Sequence, residues 1–222
     1  NVVQCLEDYG IPLLLNHTIV DIKGKDRIEG VTVAELDENR KPIGGTEQFY
    51  ECDTLLLSVG LIPENELSKG VAVKLDPITG GPVVNESMET TVRGVFACGN
   101  VVHVHDLVDY VTEESRTAGR NAARFVNGEA GGYGPVIRTK PGNGIRYIVP
   151  HFIRRDKVER SVDLFMRVDR IFTDKKLVVK SGDIVIRAIN KAYMRPGEME
   201  RINITAESLK AAENLSLTID VE

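Results

Sequence analysis

The sequence predicts two architectures in one chain: an α/β portion over residues 1–130 and an all-β domain after it. Three observations carry this. Short continuous apolar runs, Thr54-Leu-Leu-Leu-Ser-Val59 and Val95-Phe-Ala97, have the pattern of strands covered on both faces. Apolar and small residues at Leu107, Val108, Val111, Ser115, Ala118, Ala122 and Phe125 form one stripe at helical spacing. Past residue 134 the period becomes two: Val162, Leu164, Met166 and Val168 alternate with Asp163, Arg167 and Asp169.

In chain order, Val2, Val3 and Leu6 suggest a helix that Gly10 stops. Ile11-Pro-Leu-Leu-Leu15 reads as a buried strand, extended by Thr18 to Ile22. Val31 to Leu36, turn material at Asp37 to Pro42, and Thr46 to Tyr50 read as a hairpin or meander. Asp76-Pro-Ile-Thr-Gly-Gly81 is dense in turn formers, and Val83 and Val84 lie in a short extended piece. Asp106 is the expected N-cap or first-turn acid of the helix, and Asn127-Gly128 its stop. Glu129 to Gly134 has linker composition. Leu177 and Val179, Ile184 and Ile186, Ile202 and Ile204, and Leu215 to Val221 then give further half-buried strands, so a small antiparallel β-sandwich is expected. An immunoglobulin-like form is one candidate, without the Trp or cysteine pair of an antibody domain.

Composition bounds the function. With 222 residues, 42% hydrophobic, the chain can bury a sizeable core. A net charge of −5 without a Lys/Arg cluster gives no footprint for nucleic acid. No apolar run approaches the ~20 residues of a membrane span. Three scattered cysteines, Cys5, Cys52 and Cys98, fit a reducing compartment, and the cytoplasm is the expected location. The chain opens at Asn1 within a helix pattern, so further sequence is expected before it, and the lack of a signal peptide says nothing.

Two runs carry chemistry. In Cys52-Asp-Thr-Leu-Leu-Leu-Ser-Val-Gly-Leu-Ile-Pro-Glu-Asn65, Gly60 lets the backbone turn sharply and Pro63 fixes an extended exit. Alone, this is any buried strand with a Gly-x-x-Pro exit. In Gly94-Val-Phe-Ala-Cys-Gly-Asn100, a strand ends at Gly99-Asn100 just before the helix.

In this order and spacing, the two runs resemble the C-terminal parts of the two dinucleotide-binding domains of the pyridine nucleotide-disulfide oxidoreductase family. The resemblance implies a truncated Rossmann-like portion: residues 1–66 from the NAD(P)-binding domain, 67–130 from the FAD-binding domain, and 131–222 as an added β-sandwich. It implies FAD and NAD(P) as cofactors, with Gly60, Gly99, Asn100, Val101, Asp106 and Leu107 on the cofactor-binding side. The resemblance further implies that this strand delivers a polar side chain to the ribityl and phosphate region, with the amino end of the helix aimed at the flavin pyrimidine. The family's Asp is Asn100 here; an amide still accepts, and also donates.

His103 and His105, with Asp106, lie between the motif and the helix. Two histidines at i and i+2 without a clear third and fourth ligand do not make a metal site, and none is expected. They read as loop residues beside the flavin, with proton transfer by one of them as the sharper alternative. No Gly-x-Gly-x-x-Gly follows a strand and no close cysteine pair occurs; both glycine fingerprints are expected in preceding sequence. The fragment alone is therefore expected to be inactive and prone to self-association through unpaired sheet edges, with a homo-oligomer as one outcome.

The β-domain lacks the His-x4-Glu pair of the disulfide reductases and reads as a docking module. The stretch His103-Val-His-Asp-Leu-Val-Asp109 resembles FAD-dependent oxidoreductases of anaerobic bacteria associated with glycerol-3-phosphate dehydrogenase, which implies a partner flavoprotein or dehydrogenase subunit. The competing reading is a non-catalytic assembly module whose sandwich docks a partner.

Overall fold

The computed structural model describes residues 2–129, 134–210, 212 and 215–222, the side chains of Val2 and Val3 excepted. Residues 130–133 of the expected linker, and Asn1, lie outside the described residues. The chain forms two compact units, Asn1–Gly60 and Leu61–Glu222.

The first unit holds helix α1 (Val2–Asp8) and strands β1 (His17–Lys23), β2 (Gly30–Glu35) and β3 (Gln48–Glu51). The strands form an antiparallel sheet in the order β1-β2-β3, the meander that the alternation predicts. Val31 and Ala34 of β2 are buried, whereas β3 is exposed throughout. Two expectations are corrected here. Residues 11–15 and 54–60 form no strand; Leu56 is 90% exposed and Val59 85%. A strand inside a parallel sheet needs a hydrogen-bonded neighbour on each edge. Among the described residues no strand pairs with either run.

The second unit begins with the short helix α2 (Glu66–Gly70) and a stretch held by isolated bridges, Leu75 to Pro82, Val84 to Thr90 and Glu89 to Phe96. The expected strand at 95–97 is thus reduced to a single bridge. A 3-10 turn at Gly99–Val101 leads to helix α3 (Val108–Val126). Asn127 is its C-cap, and Gly128 takes the left-handed conformation that closes it, as the stop signal predicts.

Then come β4 (Val136–Pro141), β5 (Ile145–Val149), β6 (Phe152–Arg154), β7 (Ser161–Val168), β8 (Phe172–Ser181), β9 (Ile184–Met194), β10 (Glu200–Thr205), helix α4 (Ala206–Lys210) and β11 (Ser216–Val221). They build a three-stranded sheet, β10-β7-β5, and a five-stranded sheet, β6-β4-β11-β8-β9. One core lies between them. Leu164, Met166, Ile202 and Ile204 from the first sheet meet Leu177, Val179, Leu217 and Ile219 from the second. Full burial of each such side chain stabilises the fold by about 1.5–3 kcal/mol. The expected all-antiparallel pairing is corrected at one place: β11 runs parallel to β4. These strands are far apart in sequence, so no hairpin imposes the antiparallel sense. No described helix is long and apolar enough to cross a membrane.

Candidate functional site

The turn after Cys98 positions the site. Gly99 has φ +71, and a Cβ there would meet Val111 Cγ1 at 3.0 Å, so the chain reverses tightly against α3 only with glycine at this point. The Gly99 N–H donates to Glu114 Oε2 at 2.8 Å. Asn65 Nδ2 donates to the Val101 carbonyl at 3.0 Å and to the Gly80 carbonyl at 2.9 Å, tying the segment after Pro63 to the same turn. Asn100 Oδ1 accepts the His105 N–H at 3.0 Å, which folds the 100–105 loop back on itself.

α3 starts after Leu107, not Asp106, and no side chain caps it. Leu107 and Val108 are exposed at its amino end. Asp106 faces elsewhere: its carboxylate accepts from the Arg167 guanidinium on β7 and from the Met199 N–H. Of the expected cofactor-side residues, Gly99, Asn100, Val101 and Leu107 therefore line one turn and helix start, and Asp106 joins that loop to the sandwich. Gly60 belongs to the first unit, with φ +91.

His103 and His105 turn inward. Both are buried, their rings 4.2 Å apart at the centroids. Both pack on Phe165 of β7; Tyr147 of β5 lies against His103 and Tyr110 of α3 against His105. His103 Nε2 hydrogen-bonds Glu114 Oε1 at 2.7 Å, and His105 Nε2 lies 3.0 Å from Oε2. Burial pushes the His103 imidazole below its ordinary pKa, outweighing the nearby carboxylate. Burial alone would raise the Glu114 carboxyl; the hydrogen bond from His103, the close approach of His105 and the charges of both rings prevail and hold it at about 2.

Glu114 is the residue that sequence reasoning missed. Its signal was present, since it stands three residues after Val111 and four before Ala118, on the apolar stripe. Phe165 had a signal too: Leu164-Phe165-Met166 breaks the alternation, and β7 is buried on both faces there.

The sandwich closes over this layer. Val84, Met88, Val102 and Ala118 pack with Tyr147 and Val149 of β5. Arg154 on β6 pairs with Glu86 at 2.9 Å and Glu89 at 3.0 Å, and Arg201 on β10 pairs with Glu113 of α3 at 3.0 Å.

Dinucleotide-binding proteins set glycine-containing turns and helix amino ends against a cofactor; here residues 102–107 join the turn to α3. The family model for pyridine nucleotide-disulphide oxidoreductases matches residues 2–123, and the chain belongs to that family. Among its relatives, an NADH oxidase of Methanocaldococcus jannaschii is 27% identical over 131 residues, 59% of this chain and 25% of that protein. A CoA-dependent NAD(P)H sulfur oxidoreductase of Pyrococcus abyssi is 31% identical over 98 residues, 44% of this chain and 19% of that one. A nitrite reductase [NAD(P)H] of Bacillus subtilis is 24% identical over 186 residues, 81% of this chain and 21% of its own length. The chain thus spans 19–25% of the length of these relatives.

Proposed function

We propose that this chain is the C-terminal part of an FAD-dependent NAD(P)H oxidoreductase that passes electrons from the nicotinamide through the flavin to a partner flavoprotein or small acceptor. Residues 1–66 complete the NAD(P)-binding domain, 67–130 the FAD-binding domain, and 131–222 form an added sandwich. The crossed pairing of β7 with β10 in one sheet and β8 with β11 in the other supports an immunoglobulin-like core for that sandwich.

The observation that carries the reading is the Gly99–Val101 turn running into α3, a 19-residue helix with no side-chain cap. The residues there fit a flavin. Leu107 and Val108 offer exposed apolar surface to an aromatic ring system, and the amino end of α3 favours negative charge beside it. Asn100 keeps its amide N–H groups for a ribityl or phosphate oxygen, since Oδ1 is engaged by the His105 N–H. When bound, the flavin supplies the hydride-accepting chemistry, and the protein supplies orientation and charge. The Glu114 contact to the Gly99 N–H keeps that turn in one conformation.

The test is reduction of the protein produced from its gene's own start codon. NADH or NADPH added without oxygen should bleach the flavin spectrum. A folded, flavin-loaded protein that neither nucleotide reduces would refute the assignment.

A further inference from the structure

The histidine pair lacks a third donor in the sequence, and the fold supplies one. Glu114 reaches both rings from α3, and the three donor atoms lie within 4.8 Å of one another, all three residues buried. We infer that His103, His105 and Glu114 form a binding site for a divalent first-row transition metal ion, with zinc as its expected occupant.

Two imidazole nitrogens and one carboxylate oxygen suit such an ion, and three protein donors leave one position for a water or small anion. Tetrahedral metal–ligand bonds of about 2.0–2.2 Å set neighbouring donors roughly 3.3–3.6 Å apart. His103 Nε2 lies 2.7 Å from Oε1 and His105 Nε2 3.0 Å from Oε2, so an ion needs the donors to part by roughly half an ångström. The set is also held in place. Glu114 Oε2 is fixed by the Gly99 N–H, and the rings are packed by Phe165, Tyr147 and Tyr110.

A second observation points to a ligand. His105 Nε2 lies close to Glu114 Oε2 yet has no hydrogen-bond partner, and neither does the Nδ1 of either ring. Buried polar atoms are normally paired. The carboxylate only accepts, so His103 Nε2 carries its proton in the empty site; an ion takes that place once the ring proton sits on Nδ1, which frees the Nε2 lone pair. The ion would pin the loop after Asn100 to α3 beneath β7. This inference stands apart from the flavin assignment, because the donors are complete within this chain.

The experiment uses the tag-free 222-residue chain, stripped with a chelator and titrated with zinc by calorimetry and with cobalt(II) by visible spectroscopy. One ion per chain is expected, with a rise in Tm. His105→Gln or the near-isosteric Glu114→Gln should weaken binding at least roughly tenfold, a difference of about 1.4 kcal/mol or more. The double change His17→Gln/His151→Gln should leave it intact. Absence of saturable binding overturns the site, as does equal affinity in a folded ligand variant. Should both ligand variants unfold, the cobalt spectrum of the unmodified chain still decides. Nitrogen and oxygen ligation supports the site, and a thiolate charge-transfer band assigns the ion to cysteine and overturns it.

Discussion

Glu114 occupies a buried position on α3 because the Gly99 N–H and the His103 ring donate to it there and the His105 ring lies beside it. Replacing it by Ala leaves the Gly99 N–H and the His103 ring without their acceptor. Each stranded buried group costs about 1–3 kcal/mol, so Glu114→Ala should lose roughly 3 kcal/mol in urea unfolding. A loss below about 1 kcal/mol would show that the cluster is not tightly held. The same residues set the acid response. Burial lowers the pKa of His103 and His151 from 6.5, so the unfolded chain binds their protons more readily. Their share of stability is present above pH 6.5 and is lost as pH falls below it. Glu114, depressed from 4.5 to about 2, contributes stability that is present above 4.5 and lost as pH falls towards 2. Both act in one direction: Tm should begin to fall near pH 6.5, and a flat profile down to about pH 5 would contradict this. Gly81 is a steric constraint. A Cβ there would lie 1.8 Å from the Val102 carbonyl oxygen, so Gly81→Ala must displace backbone beside the turn and should lower Tm sharply.

At the level of elements, the regular alternation of the C-terminal strands was legible because a half-buried strand writes its inward face as every second residue. Val162 to Val168, Leu177 with Val179, and Ile202 with Ile204 all fall in strands of the shared core. Helix α3 was legible for the same reason, through its stripe. The apolar runs at 11–15 and 54–60 were not, since composition shows that a run suits a buried strand but not whether partners are there to pair with it. Nor was Glu114 legible as a ligand, since its meaning depends on loop residues folding back against α3. β7 is the element under most constraint, facing the core through Leu164 and Met166 and the histidine cluster through Phe165. Leu164→Ala should cost about 2–5 kcal/mol in chemical denaturation; a cost under about 1 kcal/mol would mean that the two sheets close over the gap.

Across the whole molecule, residues 61–128 and the sandwich belong to one compact unit, joined by the β5 layer and by Arg154, Arg167 and Arg201. The sandwich therefore spends one face on its own chain. Residues 54–60, exposed but for the half-buried Leu55 and without secondary structure, are the expected site of limited proteolysis, leaving a resistant fragment that begins near Leu61. Preferential cutting inside the sandwich would contradict the division. The proposed flavin lies at the amino end of α3. The most direct test is the flavin affinity of the protein expressed from its own start codon, compared with Leu107→Asp, a change at an exposed position that places a carboxylate beside the ring system. The account predicts one flavin per chain in the unmodified protein and binding weaker by roughly tenfold or more in the variant. A folded protein without flavin, or equal affinity in the two, would contradict it.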